Sequence, residues 1–209
     1  MSSALEKAYD FIKSAIMTGT YQAGDRIKEE WVAEQIGVSR TPIRNAMQKL
    51  AAQGFVVVSH HQGGRVANWS SEDLREITEL RALLESFGAG IAARKISQDE
   101  LGALRDLASG MEACARNPTA EDFARITDLN SQFHMAIVEA SGNRRLAEVI
   151  GNLAHPLLVQ RKFSTFDEAR LARSMAHHRE LIDALAAGKG DWASAIMRAH
   201  ILASSNADE

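Results

Sequence analysis

From residue 70 onward every structural signal in the chain is a helix signal, which restricts this stretch to an all-α packing. Ser70-Ser-Glu-Asp73, Ser97-Gln-Asp-Glu100 and Thr119-Ala-Glu-Asp122 each place a hydroxyl three residues ahead of a carboxylate. At that spacing the hydroxyl accepts from the backbone three residues on, and the carboxylate accepts from the capping residue's own N–H. Ser141-Gly-Asn143 and Gly188-Lys-Gly190 break the pattern. About six helices are predicted, over 71–95, 98–116, 120–140, 144–162, 166–187 and 191–204.

Residues 1–69 read differently. Apolar residues at 5, 8, 9, 12, 15 and 16 form a helical stripe, ended by Thr18-Gly-Thr20, and Ala23-Gly-Asp25 is a turn. Glu29 to Ile36 makes a short second helix closed by Gly37. A third opens at Ser39-Arg-Thr-Pro42, where Ser39 or Thr41 can cap and Pro42 is tolerated in the first turn. Phe55-Val-Val-Val58 is strand-like, His60-His-Gln-Gly-Gly64 is a turn, and Arg65-Val-Ala-Asn68 is a returning strand. Asn68-Trp-Ser70 is a short linker, so the expected domains are 1–69 and 70–209.

Charge divides the same way. The net charge is −3, but the first 69 residues hold 8 Lys/Arg against 6 Asp/Glu, and the remainder 16 against 21. A basic segment joined to an acidic one implies two tasks. With 45% hydrophobic residues the chain can bury a core, and its single cysteine, Cys114, excludes an internal disulfide framework and a cysteine-based zinc finger. No apolar run approaches the ~20 residues that span a bilayer, and the N-terminus lacks the apolar stretch of a signal peptide. The expectation is a cytoplasmic protein with no membrane partner.

The third helix buries Ile43, Ala46, Met47, Leu50 and Ala51 and presents Arg44, Asn45, Gln48 and Lys49, with Arg40 at its start. Arginine forks onto guanine and glutamine or asparagine onto adenine. A short helix, a tight turn and such a helix make a helix-turn-helix, with the hairpin as a wing. The glycine-rich turn allows close backbone approach, and Arg65 or His61 can reach phosphate or the minor groove. A solvated face on a small domain would show the same periodicity. The string Gly37-Val-Ser-Arg-Thr-Pro-Ile-Arg44 is more specific, and it resembles the signature of winged helix-turn-helix regulators of the GntR family. Leu50-Ala-Ala-Gln-Gly-Phe55 and the Gly-Gly wing resemble that family too. The resemblance places Arg40, Arg44 and Lys49 on DNA-contacting positions. The expected contact set is Arg40, Thr41, Arg44, Gln48, Lys49, Gly63 and Arg65. Asn45 stands where the family usually has Glu, and Trp31 where a small or polar residue is usual.

Three later helices each turn an imidazole inward. His134 and Asn130 share the face of Ile126, Phe133 and Ile137; His178 lies in the stripe of Leu171, Met175, Ile182 and Leu185; His200 adjoins Ile196, Met197 and Ile201. A desolvated imidazole needs a partner. Either each has its own hydrogen bond, or one shared cation satisfies all three. Asn130-Ser-Gln-Phe-His134, Ser141-Gly-Asn143, His178-Arg-Glu-Leu-Ile-Asp183 and Arg198-Ala-His200 resemble the FCD effector domain of the FadR-like branch. That resemblance implies a divalent metal on Asn130, His134, His178 and His200: Zn²⁺ first, with Ni²⁺ or Mn²⁺ as other candidates. Asn in place of Asp removes one negative charge. His155 and His177 do not match the motif.

Arg81 lies on an apolar stripe between Ile77 and Leu84. A guanidinium there needs an acceptor: Glu85 four residues on, a small-molecule carboxylate, or both. Leu80-Arg-Ala-Leu-Leu-Glu85 resembles the family's Leu-Arg-x-x-Leu-Glu. The resulting expectation is a homodimeric repressor on double-stranded operator DNA, responsive to a small organic acid held by the metal and Arg81, and not an enzyme. The alternatives are a metal-sensing regulator and a metal-dependent enzyme, though no Asp or Glu sits at a clear helical offset from the three histidines to serve as general base.

Overall fold

A computed structural model describes residues 3–59, 63–68, 70–116, 118–153 and 166–204. The turn residues His60 and His61, Trp69 of the linker, His155 and the tail of the 144–162 helix lie outside the described residues. The chain divides into two compact units, Met1–Ser70 and Ser71–Glu209.

The first unit is a winged helix-turn-helix. Helix α1 (Ala4–Met17) starts at a reciprocal box in which Ser3 and Glu6 satisfy each other's backbone N–H. Strand β1 (Arg26–Ile27) leads to α2 (Glu29–Ile36), which Gly37 closes at φ 67°, a left-handed turn that favours glycine. Then come α3 (Arg40–Ala52), β2 (Val56–Ser59) and β3 (Gly63–Val66). The core joins Ile12 and Ile16 of α1 to Val32, Ile43, Met47, Leu50, Phe55 and Val66.

Three details differ from the sequence expectation. Ser39 takes the cap position of α3, yet its side chain makes no capping bond. A capping hydroxyl accepts from the second or third helical N–H, and the third helical residue is Pro42, which has none. β1 was not foreseen, because two residues carry no periodicity; it pairs Arg26 with Arg65 and Ile27 with Gly64, giving the antiparallel order β1-β3-β2. The returning strand begins at Gly63 rather than Arg65. Gly64 lies within the ladder, opposite Val58. A Cβ on Gly64 would sit 2.7 Å from Met47 Sδ and 3.0 Å from Val56 Cγ1, so this glycine lets the wing lie flat on α3.

The second unit is all-α. It comprises α4 (Ser71–Ala92), α5 (Gln98–Cys114), α6 (Ala120–Ala140), α7 (Arg144–Leu153), α8 (Glu168–Ala186) and α9 (Gly190–Ala203). Reciprocal boxes open α5 at Ser97/Glu100 and α6 at Thr119/Asp122, and the Asp167 side chain caps α8. The core runs from Ala82, Ala89 and Ala92 of α4 through Leu104, Met111, Ile126, Phe133 and Leu181 to Met197. α4 and α9 meet backbone to backbone: a Cβ on Gly190 would lie 2.5 Å from the Gly90 carbonyl oxygen. Among the described residues no helix is long and apolar enough to cross a membrane.

Candidate functional site

Two sites emerge, one in each unit. In the bundle, α6 supplies Asn130 and His134 one turn apart, α8 supplies His178 and α9 supplies His200. All four are buried, His178 completely. The α4–α9 crossing at Gly90 and Gly190 sets the register. Ten residues along α9 from Gly190 is His200, and a similar distance back along α4 lies the Arg81–Glu85 turn.

One ring nitrogen from each histidine lies within 4.8 Å of the others. His134 Nε2 and His200 Nε2 are 3.1 Å apart. Among the described residues, both ring nitrogens of His178, Nδ1 of His200 and Oδ1 of Asn130 have no hydrogen-bond partner. Orphaned buried polar atoms are costly and rare, and here those of His178 and His200 lie in one cluster of three imidazoles. Burial, reinforced by His134 and the other neighbouring rings, pushes the pKa values of His178 and His200 well below the ordinary histidine range. Both imidazoles are therefore neutral and available as lone-pair donors. A nitrogen-rich set with one amide oxygen fits a borderline divalent cation such as Zn²⁺, Ni²⁺ or Mn²⁺. His134 has hydrogen bonds at both ring nitrogens, to Glu85 and His200, whereas the atoms named above have none among the described residues.

Glu85 has a second role that sequence reasoning did not foresee. It is fully buried; one carboxylate oxygen accepts from Arg81 Nε at 2.6 Å and the other faces His134 Nδ1 at 2.5 Å. Burial would raise its pKa, but Arg81 and His134 outweigh that and bring it down to about 2. The ionised carboxylate fixes His134 with Nδ1–H toward Glu85, so Nε2 faces the cluster. The spacing had paired Glu85 with Arg81. Its second partner comes from another helix, which only the fold brings near. His177 is half-buried beside His200, 5.8 Å between ring centres, and is not one of the three.

In the first unit, a groove of about 880 Å³ lies between α3 and the wing, with Arg26, Lys28, Arg40, Arg44, Gln48 and Gly63 on its walls. Thr41 and Gln48 are exposed. Arg44 Nε donates to both carboxylate oxygens of Glu29, at 3.0 and 2.8 Å, and Arg40 pairs with Glu30 at 3.0 Å. Lys49 lies elsewhere, its ammonium 4.5 Å from the centre of the Tyr9 ring of α1. Arg65 is exposed and donates to the Gly24 carbonyl.

Comparison with known proteins agrees with both units. Residues 4–66 match the family described as bacterial regulatory proteins, gntR family, and residues 76–203 match the FCD domain. The uncharacterized HTH-type transcriptional regulator YdhC of Bacillus subtilis (strain 168) is 27% identical over 200 residues, 96% of this chain and 87% of that protein. The HTH-type transcriptional repressor GlaR of Escherichia coli (strain K12) is 27% identical over 203 residues, covering 93% and 90%. Among solved structures, E. coli McbR/YncC superposes with a TM-score of 0.77 at 22% identity over 97% of this chain and 95% of that one, which shows a shared fold.

Proposed function

The chain belongs to the gntR family of bacterial regulatory proteins and carries an FCD domain, and from that premise we propose that it is a homodimeric, cytoplasmic repressor that releases operator DNA in response to a small carboxylic acid. The family and its relatives are transcriptional regulators, not enzymes. The observation that carries the proposal is the set of buried atoms on Asn130, His178 and His200 that have no partner among the described residues, together with His134 and the Arg81–Glu85 pair.

Asn130, His134, His178 and His200 would hold a divalent cation, which when bound would supply Lewis acidity toward an anionic ligand. The four ligands are neutral as donors, and Glu85 is offset by Arg81, so an anionic ligand is favoured. Arg81 reaches Glu85 through Nε alone. Its terminal nitrogens have no hydrogen bond among the described residues and suit the effector carboxylate, a forked acceptor that guanidinium matches.

On the DNA side, Arg40, Thr41, Arg44 and Gln48 address the major groove, Gly63 and Arg65 address the backbone from the wing, and Lys49 swings from Tyr9 to a phosphate. The first 69 residues carry a net charge of only +2. Two copies on a two-fold operator double the phosphate contacts, from which sequence-independent affinity comes. Effector binding favours one of two placements of the DNA-binding domains, and a coupling of about 1–3 kcal/mol suffices.

The test is a titration of a labelled duplex, recovered from a randomised pool by selection on this protein, against a panel of small mono- and dicarboxylic acids. With Zn²⁺ present, at least one acid is expected to weaken binding, and the Arg81→Ala variant to be insensitive to it. If no acid acts but chelating the metal does, the protein is a metal sensor and the effector reading fails.

A further inference from the structure

We propose that Glu29 is a specificity-determining residue of the DNA-reading surface: it holds Arg44 in the conformation that reads a base, and it cancels the charge that would otherwise bind any phosphate. The inference rests on the reading of α3 as the recognition helix.

Both Glu29 oxygens lie on the Nε edge of the guanidinium, at 3.0 and 2.8 Å. That grip leaves both terminal nitrogens of Arg44 without a hydrogen-bond partner among the described residues. The end-on fork is the pair of donors that matches guanine O6 and N7. Exposure runs the same way. The Glu29 side chain is 15% exposed and Arg44 is 64% exposed, so the carboxylate forms the floor and the guanidinium the projecting tip. A long flexible side chain loses rotamer entropy on binding, and one already held loses less.

The charge argument is independent. Non-specific affinity for duplex comes from cations that displace counterions from phosphate. A cation paired with a carboxylate contributes little to that, yet it keeps its directional donors. The pair therefore trades general attraction for discrimination, which is a difference of affinities.

The neighbouring pair supplies an internal control. Arg40 meets Glu30 through one contact at 3.0 Å, and both side chains are more than half exposed, 56% and 59%. This pair offsets charge without fixing a geometry. Glu29 and Glu30 both lie in the first turn of α2, so their loss costs the helix a similar dipole interaction.

The experiment compares the full-length protein with Glu29→Gln, Glu29→Asp, Glu30→Gln and Arg44→Ala. Each is measured on a duplex selected from a randomised pool by the wild type and on a scrambled duplex of the same composition, across a range of salt. Thermal melts first establish that each variant folds. Glu29→Gln is expected to lower the preference for the selected duplex about tenfold, the discrimination of one bidentate base contact, and to steepen the salt slope on scrambled duplex by about 0.9. Glu29→Asp keeps the charge but withdraws the carboxylate from Nε; it should lower the preference and leave the slope unchanged. Glu30→Gln should steepen the slope and leave the preference unchanged. The proposal is overturned if Glu29→Asp retains the wild-type preference, or if Glu29→Gln and Glu30→Gln reduce it equally. If Arg44→Ala retains the wild-type preference, the recognition-helix reading fails along with it.

Discussion

Removing the Glu85 carboxylate would leave the Arg81 guanidinium, itself 8% exposed, without an anion and would free His134 to change tautomer. Losing one partner of a buried ion pair costs about 3–5 kcal/mol, so Glu85→Gln should lower the urea midpoint sharply. Equilibrium dialysis of the same variant should show metal affinity reduced about 10–100-fold, as for other outer-shell partners of a ligating histidine. His178 makes the opposite case. Its two ring nitrogens are buried without partners among the described residues, and its ring centre lies 4.7 Å from that of Phe133. Replacing an orphaned polar group by an apolar one of similar shape removes a desolvation penalty of about 1–3 kcal/mol. His178→Phe should therefore stabilise the metal-free protein while abolishing metal binding; a destabilised metal-free variant would mean that His178 has a partner after all. Acid has a defined sign here. Folding holds His178 and His200 well below their ordinary range. The unfolded chain thus binds more protons below about pH 6.5, and metal-free stability falls as pH drops through that value, by up to ~1.4 kcal/mol per pH unit for each histidine. Glu85, held at about 2, adds a further loss below the ordinary carboxylate range. Urea titrations of the metal-free protein at successively lower pH test this, and His178→Phe should remove one histidine's share of the slope.

Among the elements, starts were more legible than ends, and the reason is chemical. The Ser97/Glu100 and Thr119/Asp122 boxes are local, three residues across, so α5 and α6 begin where their sequence places them. Their neighbours are less local. The 71–95 expectation overran α4, which stops at Ala92, because the closing turn is set by packing rather than by a glycine. The inward stripes placed Asn130, His134, His178 and His200 on buried faces, since a period of 3.6 fixes which side chains face the core. Nothing in one helix, however, told of Glu85 meeting His134. The α4–α9 crossing was equally hidden, since Gly190 reads as a helix breaker until Gly90 lies against it. Because its Cβ would fall 2.5 Å from a backbone oxygen, Gly190→Ala must force the helices apart. Such overpacking costs about 1–3 kcal/mol, and the displaced α9 should carry His200 away and weaken metal binding. Gly102, inside α5, has no atom within 4 Å of its Cβ position. Gly102→Ala should instead stabilise by about 0.4–1 kcal/mol through the unfolded chain. Thermal melts of the two variants should move in opposite directions; movement in the same direction would contradict the close crossing.

For the molecule as a whole, the division near residue 70 was legible because two independent signals change there, the charge balance and the kind of periodicity. The two units then hold separate cores, one built around Ile43, Leu50 and Phe55 and the other around Leu104, Phe133 and Met197. Every candidate metal ligand belongs to the second. A ligand that binds only the folded state stabilises by RT ln(1 + [L]/Kd), about 4 kcal/mol at a thousandfold excess over Kd. Free energy gained at the histidine cluster acts directly on the bundle, whereas the winged domain receives only the inter-domain coupling of about 1–3 kcal/mol that makes a useful switch. Calorimetry of the full chain should therefore resolve two transitions. Adding Zn²⁺ should raise the bundle's transition by the larger amount, and chelation should return it. The winged domain's transition should move little with metal alone and follow the acid and the duplex instead. If Zn²⁺ raises neither transition, the buried imidazoles do not bind it. If it raises both equally, the cation is not confined to the bundle, and the division of labour argued from the sequence and the cores is wrong.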